Sequence, residues 1–313
     1  MTLETALAID IGGTYTKLAL VDSAGRIAAS TSIPTNLDDG PDAYLNRVCQ
    51  AAQPLLAQAG QLVGIGLAVA GFIDAARSHI TYNPNLRPLE GYPLRHSLAA
   101  QLSLPVTLDV DSNTACLAEY HYGAGRGAQR LLCLVIGTGF GGAMIIGGEL
   151  LRLAAQAIGD PGHVIVEPGG ALCSCGGRGC AEALVSAPAI EAAAGGGKPF
   201  PQVLKAAQNG EQRSLHALEQ AGHFLGVTMA TLSAIFLPDR IVVAGGVAEA
   251  GDLLLLPAQS AFQSCAGTIF WQNTPIAKAS LGPHASLIGA ACPLFAPSPQ
   301  ACDAPEESKL KRG

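Results

Sequence analysis

Two stretches of the chain repeat one pattern, in which a buried strand, a glycine turn and a second buried strand follow one another. The first covers residues 6–21 around IGGTYTK, and the second covers residues 131–146 around IGTGFGG. A third apolar run enters a Gly-Gly turn within VVAGGV at residues 242–247. Glycine turns let backbone N–H groups approach an anion closely. The repeat predicts an α/β fold of two similar halves that face each other across a cleft and hold a phosphate chain from both sides.

The first glycine turn carries side chains that suit a magnesium–phosphate ligand. Asp10 ends the first strand, where a carboxylate can hold hydrated Mg²⁺, and Thr14 and Lys17 offer a hydroxyl and a positive charge. The turn matches neither the Walker loop nor the G-x-G-x-x-G dinucleotide fingerprint. Taken alone, the stretch is equally compatible with an ordinary hairpin closed by glycines.

A glycine-rich stretch at residues 159–182 contains one imidazole and three thiols in the spacing H-x9-C-x-C-x4-C. These side chains, which can close a tetrahedron around Zn²⁺, are His163, Cys173, Cys175 and Cys180. The spacing is not that of a zinc finger, and buried or disulfide-linked cysteines are the alternative. Asp160 and Glu182 flank the cluster without being needed as ligands, which suggests that the loop also faces a substrate.

A carboxylate also stands where the apolar strand PVTLDV runs into a helical stretch. This residue is Asp111, and the Ser112 and Asn113 that follow it are predicted to cap the helix. Acids at the carboxyl ends of strands in α/β sheets lie where such folds bind ligands. The alternative is that Asp111 itself only caps the helix. Further helices are predicted over residues 41–60, 201–237 with a break near 210, and 285–295.

Composition excludes several classes of protein. The net charge of −6 argues against nucleic-acid binding. No apolar run reaches the length of about 18 residues that a membrane helix needs, and the N-terminus lacks the pattern of a signal peptide. Nine cysteines, six of them scattered outside the cluster, indicate a reduced cytoplasmic protein with one metal site. Residues 296–313, rich in Pro, Ser and charge, are predicted to be disordered.

The motifs DIGGTYTK, GTGFGG, GH…CSCGGRGCAE and VVAGGV, in this order, resemble the ROK family (repressor, open reading frame, kinase) over residues 6–294. The family's kinases are sugar kinases with the actin-like ATPase fold, which is ribonuclease H-like and shared with hexokinase. The resemblance implies a small N-terminal α/β domain, residues 1–112, completed by the C-terminal helix 285–295. It implies a large α/β domain, residues 113–284, that carries the zinc loop.

The resemblance also implies roles for individual residues. ATP with Mg²⁺ is expected to bind a first phosphate loop, a second phosphate loop and an adenosine pocket, formed in turn by Asp10, Gly12, Gly13, Thr14 and Lys17, by Gly137, Thr138 and Gly139, and by Ala244, Gly245 and Gly246. Asp111 matches the catalytic base. The sugar is expected to contact Gly71, Val110, Asp111, Asp160, His163 and Glu182. The zinc ligands are His163, Cys173, Cys175 and Cys180, and a site closed by four protein ligands is structural.

Two departures from the family pattern fall on the sugar side. The usual Asn-Asp-x-Asn is here Val110-Asp111-Ser112-Asn113, and the usual Glu-x-Gly-His begins with Asp160. Valine can neither donate nor accept a hydrogen bond, and aspartate reaches about 1.5 Å less far than glutamate. We therefore expect an altered acceptor, such as a deoxy or amino sugar, a cyclitol or a differently oriented hexose.

Other members of the family leave two further functions open. Its transcriptional repressors carry an additional N-terminal helix-turn-helix, whereas this sequence enters its first strand by Ala6 and is acidic, so DNA binding is not expected. A catalytically weak sugar-binding or regulatory protein is the second alternative. The family often forms dimers, and a homodimer that binds a small sugar or polyol, with neither nucleic acid nor membrane as a partner, is expected.

Overall fold

Each of the glycine-turn repeats lies inside a five-stranded sheet. The computed structural model describes residues 3–153, 158–267 and 270–295. The first sheet has the order β3-β2-β1-β4-β7 and is formed by β1 (Glu4–Ile11), β2 (Tyr15–Asp22), β3 (Ile27–Pro34), β4 (Gln61–Val69) and β7 (Val106–Val110). The second has the order β10-β9-β8-β11-β12 and is formed by β8 (Arg130–Ile136), β9 (Phe140–Ile146), β10 (Glu149–Leu150), β11 (Arg240–Ala244) and β12 (Ile276–Lys278).

The two sheets share one pattern of strand directions. In each, three strands run antiparallel through two turns, and two further strands lie parallel to the first of them. A short hairpin of β5 (Phe72–Ile73) and β6 (Ile80–Tyr82) follows β4. The prediction of two similarly folded halves is therefore confirmed.

Helices cover the faces of both sheets. They are α1 (Pro41–Leu56), α2 (Leu94–Leu102), α3 (Asp111–Tyr122), α4 (Glu182–Val185), α5 (Ala187–Ala194), α6 (Phe200–Gln208), α7 (Gln212–Phe236), α8 (Asp252–Ala266) and α9 (Ala285–Ala291). The expected break near residue 210 separates α6 from α7. Among the described residues, no helix is both long and apolar enough to cross a membrane.

Strand β1 shows how side-chain size decides what packs on each face of the first sheet. Because side chains alternate along a strand, Leu7 and Ile9 point to one face, and they pack in an apolar cluster with residues of α1. The small Ala6 and Ala8 point to the other face and pack with α3 and α9. Small side chains on this face let the two helices lie close to the sheet.

Two glycines allow the closest contacts on that face. A Cβ added at Gly66 of β4 would lie 1.9 Å from the carbonyl oxygen of Ala290 in α9. A Cβ added at Gly289 of α9 would lie 1.6 Å from the carbonyl oxygen of Thr114 in α3. Backbone therefore packs directly against backbone, and this contact fixes where α3 begins.

The predicted caps of α3 were wrong. Ser112 and Asn113 lie buried inside the helix, whose N-cap position is Val110, and neither makes a side-chain capping bond. The carboxylate of Asp111 instead accepts the N–H of Ser112 at 2.7 Å, and the hydroxyl of Thr114 donates to the Asp111 carbonyl at 2.9 Å.

Helix α3 contacts both sheets. Its Ala115 and Ala118 belong to the apolar cluster on the first sheet, and its Cys116 belongs to a cluster with the second sheet. The division at residues 112 and 113 therefore stays a prediction. The predicted disorder of residues 296–313 falls outside the described residues.

We expect Gly289→Ala to lower the free energy of unfolding by at least about 2 kcal/mol, because the new methyl group meets a backbone oxygen that cannot rotate away. Chemical denaturation followed by circular dichroism would measure it. Gly60→Ala is the matched control, since a Cβ there meets nothing within 4 Å. Equal stability of the two variants would contradict the proposed close contact.

Candidate functional site

Asp111 occupies the junction between β7 and α3. It is partly buried, and its Oδ1 accepts the N–H of Ser112. Burial, together with the negative charge of nearby Asp10, raises the pKa of Asp111 to about 7. A carboxyl with such a pKa can exchange a proton near neutral pH, which ordinary aspartates cannot do.

Asp10 lies at the end of β1, directly opposite Lys17 on β2. Its Oδ2 accepts a hydrogen bond of 2.6 Å from the hydroxyl of Ser286 in α9. Burial raises the pKa of Asp10, while the Ser286 hydrogen bond and the charge of Lys17 act in the opposite direction. The structure thus brings the two carboxylates predicted from separate motifs, Asp10 and Asp111, close enough to interact.

The second and third glycine turns also meet. In the Gly137–Gly139 turn, between β8 and β9, the N–H of Gly137 donates to the Gly139 carbonyl at 2.9 Å. Gly245, which follows β11, has a φ of 88° and approaches the backbone of Ile136 so closely that a Cβ would lie 2.2 Å from its carbonyl oxygen. The N–H of Ala187, at the start of α5, donates to the Gly137 carbonyl at 2.8 Å. Predicted phosphate and adenosine residues are therefore neighbours.

The remaining residues predicted to bind the nucleotide differ in their exposure to solvent. Gly13, Thr14, Thr138 and Gly246 are exposed, while Gly12 is half-buried and Ala244 is buried at the end of its strand. The turn at Gly12 is closed by its N–H, which donates to the Tyr15 carbonyl at 3.1 Å.

The four predicted metal ligands converge. Their donor atoms all lie within 4.8 Å of one another. Cys173 Sγ is 3.6 Å from His163 Nδ1, and Cys175 Sγ is 3.7 Å from Cys180 Sγ. A tetrahedral zinc with Zn–S of about 2.3 Å and Zn–N of about 2.0–2.1 Å has edges of about 3.5–3.8 Å between ligands. The side chains fit zinc, and the disulfide alternative fails because the three thiols are free.

Glycines shape the metal loop. Gly179 has a φ of 75°, and a Cβ there would lie 1.7 Å from the carbonyl oxygen of Glu167. Two hydrogen bonds close the loop, one between backbone groups, from Cys173 N–H to the Gly177 carbonyl at 2.8 Å, and one from the Gly177 N–H to the side-chain sulfur of Cys175 at 3.4 Å. The sulfurs consequently point to one centre.

His163 presents its other ring nitrogen to the predicted substrate side. Nε2 lies 3.4 Å from Asp160 Oδ2, and burial raises the pKa of Asp160. The imidazole of His163 therefore belongs both to the metal cluster and to the predicted acceptor site. Gly71, after β4, has a φ of 91° and contacts the Tyr82 carbonyl so closely that a Cβ would lie at 2.5 Å.

Two residues predicted to contact the sugar have side chains that contact other parts of the protein. Glu182 Oε2 accepts the N–H of Phe140 at 3.0 Å, and its Oε1 accepts the hydroxyl of Ser174 at 2.9 Å. Glu182 thus ties the metal loop to the second glycine turn. The side chain of Val110 is only 5% exposed and packs in the apolar cluster of the first sheet.

Sequence reasoning missed a buried ion pair beside Asp111. Asp109 is 4% exposed, and both of its oxygens accept from the guanidinium of Arg152, one at 3.0 Å. It also accepts from Asn113 Nδ2 at 2.7 Å, and Arg77 Nη1 lies 3.9 Å away. The pair joins β7 to the segment after β10, so it links the two halves. An acid inside the otherwise apolar PVTLDV was the available signal.

Comparisons with known proteins agree with this architecture. The sequence pattern of the ROK family matches residues 6–295. A glucokinase of Halalkalibacterium halodurans is 33% identical over an alignment of 304 residues, which covers 90% of this chain and 92% of that protein. An N-acetylmannosamine kinase of Shigella boydii is 32% identical over 256 residues, 80% of this chain and 86% of that protein.

Among solved structures, a ROK family glucokinase from Streptomyces griseus, crystallised with glucose and AMPPNP, superposes with a TM-score of 0.81. It is 28% identical, and the match covers 92% of this chain and 98% of that one. The predicted actin-like ATPase fold is confirmed by this likeness. Since the family pattern and the relatives span nearly all of the described residues, the chain belongs to the ROK family.

Proposed function

We propose that this protein is an ATP-dependent sugar kinase, which transfers the γ-phosphoryl group to a hydroxyl of a hexose, an aminosugar or a related polyol. The observation that carries the proposal is Asp111, a carboxyl with a pKa of about 7 at the start of a helix and close to Asp10. The names of the similar glucokinases and N-acetylmannosamine kinases support it.

In the proposed reaction, Asp111 accepts the proton of the attacking sugar hydroxyl. Its Oδ1 already accepts a hydrogen bond from the Ser112 N–H, so Oδ2 is the oxygen that accepts the proton of the sugar hydroxyl. Lys17 and the glycine turns at Gly12–Gly13 and Gly137–Gly139 neutralise and orient the phosphates. Asp10 is the candidate ligand of Mg²⁺, which supplies further charge neutralisation when bound.

The metal cluster has a structural role in this proposal. Four protein ligands fill a tetrahedral site, so no position remains for a substrate. With Nδ1 at the cluster and Nε2 beside Asp160, His163 is held in one orientation toward the acceptor.

The identity of the acceptor is the finer part of the proposal. Val110 and Asp160 replace residues that the family uses toward sugar hydroxyls, and we infer an acceptor with a changed or missing hydroxyl. An ADP-release assay over hexoses, aminosugars, deoxysugars and cyclitols tests it. Measurable sugar binding without turnover of any acceptor would favour the alternative, a regulatory sugar-binding protein. The homodimer stays a prediction from the family resemblance, and the cytoplasmic location stays a prediction from the cysteine content.

Asp111→Asn should lower kcat by about 10²-fold or more, while the dissociation constant for ADP stays within about twofold. The substitution removes the proton acceptor and leaves the nucleotide residues in place. Because the raised pKa makes the ionised Asp111 destabilising above pH 7, the variant should also melt at a higher temperature at pH 8. Asp252→Asn, at an exposed position of α8, is the control. Wild-type turnover by Asp111→Asn would exclude Asp111 as the base.

The pH dependence should report the same carboxyl. Below its pKa of about 7, Asp111 is neutral and cannot accept a proton, so kcat/KM for the sugar should rise as the pH increases through 7. Steady-state kinetics from about pH 5.5 to about pH 8.5 would measure this, with a buffer series of constant ionic strength. A profile that is flat across that range would contradict the assignment.

Removal of the metal should loosen the loop and weaken sugar binding. We expect one zinc ion per chain by elemental analysis, and a lower melting temperature together with at least about tenfold weaker sugar affinity for Cys175→Ser. Cys265→Ser provides the matched control, because Cys265 is another exposed cysteine and lies outside the cluster. Unchanged sugar affinity in Cys175→Ser would show that the loop does not shape the acceptor site.

A further inference from the structure

The chain crosses between the two sheets for a second time after β12. Strand β12 belongs to the second sheet, whereas α9 packs in the apolar cluster on the first. Residues 279–286, which we call the return crossover, connect them. The first crossing is at Asp111, so α3 begins where the chain first passes from one sheet to the other.

A buried carboxylate of α3 anchors the return crossover. Glu119 is fully buried, and its Oε1 accepts the N–H of Leu281 at 2.9 Å. Its Oε2 accepts the N–H groups of Ala124 at 2.7 Å and Ser280 at 3.2 Å, and the Ser280 hydroxyl at 3.3 Å. Backbone donors face both oxygens, so an amide in place of the carboxylate would turn its own N–H₂ toward another donor.

The other end of the return crossover reaches the first glycine turn. The Ser286 hydroxyl donates to Asp10 Oδ2 at 2.6 Å, and Lys17 Nζ donates to the Pro283 carbonyl at 3.5 Å. Asp10 and Lys17 face each other on β1 and β2. One short segment therefore touches both residues and is fixed by Glu119 to the helix that begins with Asp111.

We propose that Ser286 is a positioning residue for Asp10, and that Glu119 acts through the return crossover to hold Ser286 in place. The inference rests on the proposed function, in which Asp10 binds the metal of a magnesium nucleotide. The short hydroxyl–carboxylate bond fixes the rotation of the Asp10 side chain, so that Oδ1 keeps one direction. Asp10 and Asp111 thereby stay at a constant separation.

Calorimetric titration of the full chain with ADP, once with Mg²⁺ and once with a chelator, tests this inference. Ser286→Ala should weaken MgADP binding by about tenfold and leave the dissociation constant of metal-free ADP within about twofold of the wild-type value. The reason is that Asp10 interacts with the nucleotide only through the metal. Ser286→Thr, which keeps the hydroxyl, should restore binding to within about threefold of wild type. Ser264→Ala, at an exposed position of α8, is the control.

Glu119→Gln tests the second part of the inference. It should also weaken MgADP binding selectively, and the double variant with Ser286→Ala should lose less than the product of the two single effects. If Glu119→Gln does not fold, the comparison of Ser286→Ala with Ser286→Thr decides. If the loss of MgADP binding in the double variant equals the product of the two single losses, Glu119 does not act through Ser286.

Other outcomes separate this inference from the proposed function. If Ser286→Ala weakens the binding of ADP and of MgADP equally, or weakens neither, Ser286 is not a positioning residue for Asp10. A threonine variant as weak as the alanine variant would overturn it as well. If wild type bound no MgADP, the kinase proposal itself would fail, whereas selective loss without any sugar phosphorylation would refute only the sugar acceptor.

Discussion

Close backbone packing of α9 against the first sheet on one side and against α3 on the other is the contact on which the site depends. It is possible only because Gly66, Gly289 and the alanines of β1 leave no side chain between the elements. The contact places the start of α3, and so Asp111, beside the end of β1, and so Asp10. A larger residue at Gly289 would push Asp111 away from the first glycine turn as well as strain the core.

That close approach has an electrostatic consequence. Burial raises the pKa of both Asp10 and Asp111, and the negative charge of Asp10 raises the pKa of Asp111 further. Two partly buried carboxylates this close together destabilise the folded state at neutral pH. A raised pKa is nevertheless useful if Asp111 accepts a proton in the proposed reaction. The Ser286 hydrogen bond and the Lys17 charge act against the rise in the pKa of Asp10, and the hydrogen bond from the Ser112 N–H does the same at Asp111.

Local sequence carried much of the site, because glycine turns and closely spaced ligands are short-range features. The repeat of strand and turn, the position of Asp111, and the cluster of His163 with three cysteines were predicted in this way. Glu119 and Ser286 were not, since the bonds that join Glu119 to the return crossover and Ser286 to Asp10 span 161 or more residues and depend on how α9 returns to the first sheet. The caps of α3 were mispredicted because the carboxylate of Asp111 accepts the N–H of Ser112, while the side chains of Ser112 and Asn113 are buried.

Rigidity of the metal loop bears on the acceptor. A Cβ at Gly162 would lie 2.2 Å from the Phe140 carbonyl, so the turn that carries Asp160 and His163 is pressed against β9. Glu182 fastens the same loop from its other end. A loop held at both ends cannot move inward to compensate for an acid that is one methylene shorter than glutamate. Under the proposed function, the shorter side chain then falls short of the acceptor at this position, which agrees with an acceptor whose hydroxyl there is changed or missing.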